Sequence, residues 1–324
     1  MPVYNGRSFI ARSLPPLIDM LRRGELAEVI VADDASTDDT SGMAASLGAR
    51  VVRSGNRGGP GAARNLAAQQ ANGGILWFVD ADVVVHDDAA VQLRRAFSDS
   101  GVTAVFGSYD DRPEARNFLS QYKNLVHHYH HHRGRGEAST FWAGCGGVRR
   151  SAFLAAGGFD AARFARPSIE DIELGYRLRD AGGRILLWPA VQGTHLKEWR
   201  FPDLIHTEIF RRAIPWSRLM LSRTGLRNEL NVTTAEQLRA VLAAVFVAAS
   251  AASLHPAVPG WIALAACGAI AAVNLDLLRL FYRRNGALFA LGGLLFHQIF
   301  YLYSSAAFAW CWLESRAGKL TRPR

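Results

Sequence analysis

The sequence predicts an α/β domain with a mainly parallel, doubly wound sheet, followed by C-terminal transmembrane helices. Two observations carry this expectation. Over the first 110 residues, short apolar runs ending in carboxylates alternate with helical patterns, as in βα units on a parallel sheet. Farther on, residues 240–275 and 285–313 contain no Asp, Glu, Lys or Arg. Charge-free, mostly apolar stretches of at least ~18 residues read as membrane helices.

The elements follow in order. Ile10, Leu14, Leu17, Ile18 and Leu21 fall on one helical face. Pro15 and Pro16 fit the first turn of that helix, with Ser13 as its cap. Residues 28–34 (EVIVADD), 50–53 (RVVR), 75–82 (ILWFVDAD) and 103–107 read as strands. Residues 59–72 and 87–98 are helix candidates between them. Residues 113–140 look loop-rich and polar, and hold the run His127, His128, Tyr129, His130, His131, His132. Metal binding is one reading of that run. Adjacent histidines lack the spacing of a closed site, so a solvated helix or loop near an acceptor cleft is preferred. Residues 141–150 (FWAGCGGVRR) are glycine-rich and strand-like, 169–181 (IEDIELGYRLRDA) form a strong helix stopped by Gly182 and Gly183, and 184–188 form a last strand. Residues 203–225 mix apolar and basic positions around Pro215, as an interfacial segment or a helix packed on the domain would.

Three membrane spans are expected, at about 240–256, 258–278 and 287–312. The implied organisation is an α/β domain over 1–200, an amphipathic or interfacial linker over 201–238, two or three membrane helices over 239–313 and a basic tail over 314–324. Net charge is +9, with Arg279, Arg283 and Arg284 between the apolar segments and Arg316, Lys319, Arg322 and Arg324 at the tail. Beside membrane segments such charges read as topology signals and anionic-lipid contacts rather than nucleic-acid binding. A cytoplasmic N-terminal domain puts the first three arginines inside, as the positive-inside rule requires, while three spans put the tail outside. The expected location is therefore the inner membrane, multi-pass. Cys267 and Cys311 lie in apolar segments, leaving Cys145 without a soluble partner, which argues against a disulfide framework and for a reducing compartment. The N-terminus, MPVYNGRSFI, lacks the basic-then-apolar pattern of a signal peptide. Asn231-Val232-Thr233 matches a glycosylation sequon, which has no role on the cytoplasmic side.

In open α/β sheets, ligands bind beyond the carboxyl ends of the strands. Two strands here end in Asp33-Asp34 and Asp80-Ala81-Asp82. One such pair is as easily loop solvation or helix capping; two at one sheet edge point to a site.

Six motifs then occur in order: PVYNG at 2–6, VIVADDASTDDT at 29–40, GPGAARNLA at 59–67, WFVDADVVV at 77–85, GGFD at 157–160 and IEDIELGYRL at 169–178. Together, over about residues 1–200, they resemble the inverting glycosyltransferase family 2, which has the GT-A fold. The apolar C-terminal part is similar to that of membrane-anchored members. The resemblance implies a nucleotide-diphosphate-sugar donor, whose diphosphate suits a hard divalent cation, Mn²⁺ or Mg²⁺, on oxygen ligands. Asp80-Ala81-Asp82 would supply them, two side chains on one side of a strand end. Asp82 is implied as the direct metal ligand and Asp80 as a ribose or metal partner. Pro2, Tyr4, Asp33 and Asp34 resemble the nucleoside pocket, with the choice between the two aspartates open. Arg64, near a helix start, would reach base or phosphate; its bland alternative is a surface arginine.

Glu170 and Asp171 resemble the family's acidic pair. Asp171 is implied as the catalytic base that deprotonates an acceptor hydroxyl. Helix-dipole stabilisation is its bland alternative, and Glu170 and Glu173 would fill that role equally well. Cys145 and Gly146 would wall the acceptor side, with a nucleophilic Cys145 as the alternative. His195 would be a further metal ligand or diphosphate contact, and Trp199 a stacking surface for a sugar; both also read as structural. The expected acceptor is a lipid-linked or cell-envelope glycan. Family members carry an apolar strand before PVYN that is missing here, so Met1 reads as an internal methionine. Two other classes compete. A nucleotidyltransferase would carry a glycine-rich basic loop at the first strand, which PVYN does not supply. A degenerate membrane scaffold would lack the carboxylates, yet Asp80, Asp82 and Asp171 are present.

Overall fold

Parallel pairing starts at the first residues. In the computed structural model, which describes residues 1–222 and 230–318, β1 (Pro2–Val3) lies beside β2 (Ile30–Asp33), and β2 beside β3 (Arg50–Arg53), all parallel. The tail residues Lys319, Arg322 and Arg324 and the end of the 203–225 segment lie outside the described residues. The chain divides into two compact units, Met1–Glu198 and Trp199–Arg324.

In the first unit, α1 (Arg7–Arg22) starts after Gly6 and carries Pro15 and Pro16 inside rather than in its first turn. Ser13 is not a cap: its hydroxyl contacts the carbonyls of Phe9 (3.1 Å) and Ala81 (2.6 Å). The Ser13 hydroxyl ties the helix to the Asp80–Asp82 turn. α1 buries Ile10, Leu14, Leu17 and Ile18, the face its periodicity predicts. α2 (Thr40–Ser46) and α3 (Gly59–Gln70) flank the parallel strands.

The second sheet runs in the order β4 (Ile75–Val79), β8 (Cys145–Arg149), β6 (Val102–Tyr109), β9 (Arg184–His195), β5 (Val83–Val85), with β7 (Gly136–Ala138) on β9. Only β6–β9 is parallel there; the other pairings are antiparallel. The expected strand over 75–82 is two short strands with Asp80–Asp82 in the turn between them. The last strand runs seven residues past the predicted end, reaching His195, because its second half pairs with β5, a partner too short to stand out in sequence.

α4 (Ala89–Ala96) and α5 (Phe118–Arg133) follow. The latter corrects the loop expected over 113–140. The histidine run is helix, with His130 and His131 buried and His132 exposed: His131 Nδ1 meets the Gly107 carbonyl at 2.8 Å and His128 Nδ1 the Tyr109 carbonyl at 2.9 Å. Histidine is a weak helix former, so tertiary packing on β6 decides. Burial pushes the His131 imidazole down to about 3. α6 (Arg150–Ala155) and α7 (Glu170–Asp180) complete the unit.

The second unit is helical. α8 (Phe201–His206) passes through a π-helical turn (Thr207–Ala213) into α9 (Ile214–Ser222). α10 (Thr234–Ala252) is capped by Thr233, whose hydroxyl accepts from Glu236 N. α11 (Trp261–Val273) and α12 (Leu275–Arg316) follow, and Gly286 breaks α12 with φ 81° and ψ −177°, a left-handed φ that favours glycine. Buried Glu236 pairs with Arg239 and accepts from the Tyr301 hydroxyl at 2.8 Å, which joins α10 to α12. Among the described residues, α10 and α12 are long and apolar enough to cross a membrane. The expected span over 258–278 is interrupted at Asn274, leaving α11 with 13 residues, roughly 20 Å of helix against a ~30 Å hydrocarbon core.

Candidate active site

The motifs meet because three of them hold one another. Asn65 of α3 donates to the Phe159 carbonyl (2.8 Å) and accepts from Phe159 N (2.9 Å), locking GGFD onto the helix. Phe159 packs edge-on against Phe78 of β4 at 5.2 Å and against Phe153 at 5.4 Å. Arg177 of α7 pairs with Glu173 and donates to the carbonyls of Ala156 and Gly158. Glu173 is thus taken up in structure rather than in the cleft. These contacts set the N-terminus of α7 beside that of α3.

Arg64 lies at this junction. Its side chain is 5% exposed and reaches Asp80 at 2.5 Å and Glu170 at 3.2 Å. The surface-arginine alternative is excluded. Burial lowers the affinity of the guanidinium for its proton, but Asp80, then Glu170 and Asp171, more than reverse this, so Arg64 stays charged. Burial pushes the Asp80 carboxyl up, Arg64 pulls against it, and Asp82 adds to the rise.

Asp82 has a different partner. Because Asp80–Asp82 is a turn, the strand alternation invoked from sequence does not apply, and the two carboxylates reach different groups. Asp82 Oδ2 lies 3.5 Å from His195 Nε2, an approach set by the Val83–His195 register of β5 on β9. Burial raises the Asp82 carboxyl, but His195 and then Lys197 hold it below the usual range. The His195 ring stacks on Tyr109 at 4.3 Å.

Asp171 starts α7. Its Oδ2 accepts from Ala143 N at 3.1 Å and its Oδ1 from Ile172 N at 2.9 Å. Gly175, one turn on, allows this approach: a Cβ there would sit 2.4 Å from Phe141 N and 2.6 Å from Thr140 C. Burial first, and the neighbouring Glu170 second, push Asp171 up to about 6, against Arg64 and the two amides.

On the nucleoside side, Pro2 is buried in β1 and Tyr4 is half-exposed, with Arg57 over its ring at 3.8 Å. Asp33 and Asp34 are both buried and divide their work. Asp33 accepts from Ser36 N (2.8 Å) and the Ser41 hydroxyl. Asp34 accepts from Gly58 N and Gly59 N, each at 2.8 Å, fixing the start of α3. Asp33 also lies 3.8 Å from Arg53 Nε, and Asp34 also accepts from the Ser54 hydroxyl at 3.4 Å. Gly59, at φ +85°, lets the start of α3 run close to the Ala165 carbonyl.

Cys145 is fully buried opposite Val79, and burial pushes its thiol up to about 12. A nucleophile must be a thiolate, so the nucleophilic alternative fails. Gly146 is buried too: a Cβ there would meet the Trp142 carbonyl at 2.3 Å. Trp199 is buried and opens the second unit. Trp142, Tyr109 and Arg57 were not among the expected site residues, and His127 entered only as part of the histidine run. Trp142 contacts Tyr109 (4.8 Å) and His127 (4.6 Å), forming an aromatic wall from His195 to the segment that holds Asp171. The tryptophan beside AGCGG was the available signal. Arg57 follows the short strand β3 with no apolar pattern around it.

Four carboxylates, Asp80, Asp82, Glu170 and Asp171, thus share one guanidinium and one imidazole. Oxygen donors with surplus negative charge suit a hard divalent cation.

Parts of the chain are similar to known proteins. A poly(ribitol-phosphate) beta-glucosyltransferase from Bacillus spizizenii is 33% identical over 98 residues, 28% of this chain and 16% of that protein. The poly(ribitol-phosphate) beta-N-acetylglucosaminyltransferase TarS of Staphylococcus aureus is 34% identical over 108 residues, 31% and 19% respectively. An uncharacterized Mycobacterium tuberculosis protein is 32% identical over 109 residues, 33% and 34%. The chain therefore spans about a third or less of the length of these curated relatives. Among solved structures, the mannosyltransferase PcManGT from Pyrobaculum calidifontis, in complex with GDP-Man and Mn²⁺, aligns with a TM-score of 0.62. At 18% identity over 95% of this chain and 85% of that one, it shows the GT-A fold. Residues 1–156 match the family model for glycosyl transferase family 2, which makes this stretch of the N-terminal unit a domain of that family.

Proposed function

We propose that the chain is an inverting glycosyltransferase that moves a sugar from a UDP- or GDP-linked donor to a hydroxyl of a lipid-linked or cell-envelope glycan, at a membrane. The observation that carries this is the buried Arg64, which joins the Asp80 turn to the Glu170–Asp171 helix start. It supports a single cleft in which the Asp80 turn would meet the diphosphate and Asp171 would serve as base.

In this reading Tyr4, with Arg57 over its ring, packs against the base, and Asp33 or Asp34 accepts from a nucleoside N–H. Asp82 and Asp80 would hold a divalent cation, with His195 beside them. The cation supplies charge neutralisation to the departing nucleoside diphosphate. Arg64 remains cationic next to that leaving group. Asp171 takes the proton from the acceptor hydroxyl as its oxygen attacks the anomeric carbon from the face opposite the diphosphate, inverting the centre. A base that titrates near neutrality suits the task, and the Ala143 N–H holds its second oxygen. Trp142, Tyr109 and His127 offer aromatic faces to a sugar or alditol acceptor.

The membrane location draws support from the second unit. Only 11% of the apolar window of α10 is buried, and 33% of that of α12. A soluble fold rarely exposes so continuous an apolar surface. In this reading the catalytic domain is cytoplasmic.

The reading is tested by incubating the purified chain with a panel of UDP-, GDP- and dTDP-sugars with Mn²⁺, Mg²⁺ or chelator. Nucleoside diphosphate should be released from one UDP- or GDP-sugar, only with cation, and not by Asp82→Asn. No release from any donor by the folded protein, with no donor binding by calorimetry, would overturn it.

A further inference from the structure

The second unit contains a groove apart from the carboxylate cleft of the first unit. Gly286 breaks α12, and residues on both sides of the break, with Cys267 and Ala271 of α11, line an open groove of about 420 Å³. Its walls are apolar, among them Cys267 and Ala271 of α11 and Leu278 and Leu294 of α12. The aliphatic stems of Arg279 and Arg283, one helical turn apart, join this lining, and both residues are exposed, which leaves their guanidiniums at its rim. Arg279 has only an exposed pairing with Asp276 at 3.6 Å. Arg283 has no ion pair among the described residues. Around the groove, Leu264, Tyr282 and Leu288 are exposed, Leu288 at 88%.

We propose that this groove binds a membrane phospholipid with an anionic headgroup, whose phosphate is taken by Arg279 and Arg283 and whose acyl chain lies along the apolar walls. The inference rests on the membrane reading above. A free phosphate would leave the walls without a purpose. A packed protein helix would leave two guanidiniums to be neutralised by carboxylates. A phosphate on an alkyl chain satisfies both the apolar wall and its charged rim: arginine binds phosphate oxygens in a bidentate fork, and a groove of this size takes a ligand segment rather than a whole protein element. Arginines at a membrane surface attract anionic lipid by about five-fold each, so the pair predicts a preference of about 30-fold.

The experiment uses the full chain in uncharged detergent. Phosphatidylglycerol or phosphatidylcholine is added and retained lipid is measured by native mass spectrometry. Flotation with vesicles of phosphatidylcholine alone runs in parallel. The wild type should retain phosphatidylglycerol about 30-fold better than phosphatidylcholine. Arg279→Gln with Arg283→Gln should abolish the preference, and so should Ala287→Trp, which fills the groove and keeps both charges. Arg22→Gln with Arg95→Gln, matched in charge and remote in sequence, should keep it. Equal retention of both lipids overturns the proposal, as does a preference that survives either groove variant or falls equally in the control. A dimer sensitive to Ala287→Trp but indifferent to lipid would assign the groove to a second copy and overturn it. Flotation without lipid preference leaves the membrane reading standing; failure to float overturns both.

Discussion

Replacing Arg64 by methionine tests the core of the site. The side chain is 5% exposed and spans Asp80 (2.5 Å) and Glu170 (3.2 Å). Methionine keeps most of the volume but leaves two carboxylates facing each other without a cation. Breaking one partner of a buried pair costs about 3–5 kcal/mol, mainly through the uncompensated charge left behind. For a unit the size of Met1–Glu198, about 2–4 °C per kcal/mol translates this into a drop in Tm of about 6–20 °C. Arg64→Lys restores the charge, but one ammonium cannot fork to both carboxylates, so its Tm falls between the two. Activity carries a second signature. Arg64 is one of the groups holding the Asp171 carboxyl down, so its loss moves the acid limb of the pH–rate profile to higher pH. Thermal unfolding by circular dichroism near neutral pH, with pH–rate profiles of the three proteins, reads both effects. An Arg64→Met protein with wild-type Tm and an unmoved limb would refute the bridging role.

Three further outcomes follow from the same geometry. Asp171, raised from an ordinary carboxylate value to about 6 mainly by burial, accepts a proton only when ionised. Wild-type kcat/KM should therefore fall tenfold per pH unit below about 6 and level off above it; a limb near 4 would contradict the burial argument. Gly175→Ala drives a Cβ into the backbone of Thr140 and Phe141. It should cost about 1–3 kcal/mol and lower turnover by displacing Asp171 from the Ala143 amide, visible as coupled losses in Tm and kcat. Trp142→Ala removes one face of the aromatic wall and should raise acceptor KM by about 2- to 12-fold, with donor KM unchanged; an unchanged acceptor KM would remove Trp142 from the acceptor site.

Much of the first unit was legible because its periods are local. The βα alternation through 1–100 and the 3.6-residue stripe of Ile10, Leu14 and Leu17 are written in a few adjacent residues. What failed depends on partners far away in the chain. β9 reaches His195 only because β5 pairs with it, some 110 residues earlier. α5 holds six consecutive weak helix formers because β6 supplies carbonyls to His128 and His131. The site carboxylates stood out through their motifs, but their division of labour did not. Asp80 on Arg64, Asp82 beside His195, and Asp33 and Asp34 on separate loops are consequences of the turn at 80–82 and of loop packing. The apolar helices were legible as composition, whereas the breaks at Asn274 and Gly286 hang on backbone angles that composition does not encode.

The central claim is that Asp171 deprotonates the acceptor in a cleft whose donor site is separate from it. Asp171→Asn keeps size and shape, and the amide oxygen can still accept from Ala143 N. The deciding measurement is donor affinity by calorimetry set beside turnover for this variant. The account predicts donor Kd within twofold of wild type, roughly, and a loss in kcat of about 10²–10⁴. Turnover equal to wild type would contradict it.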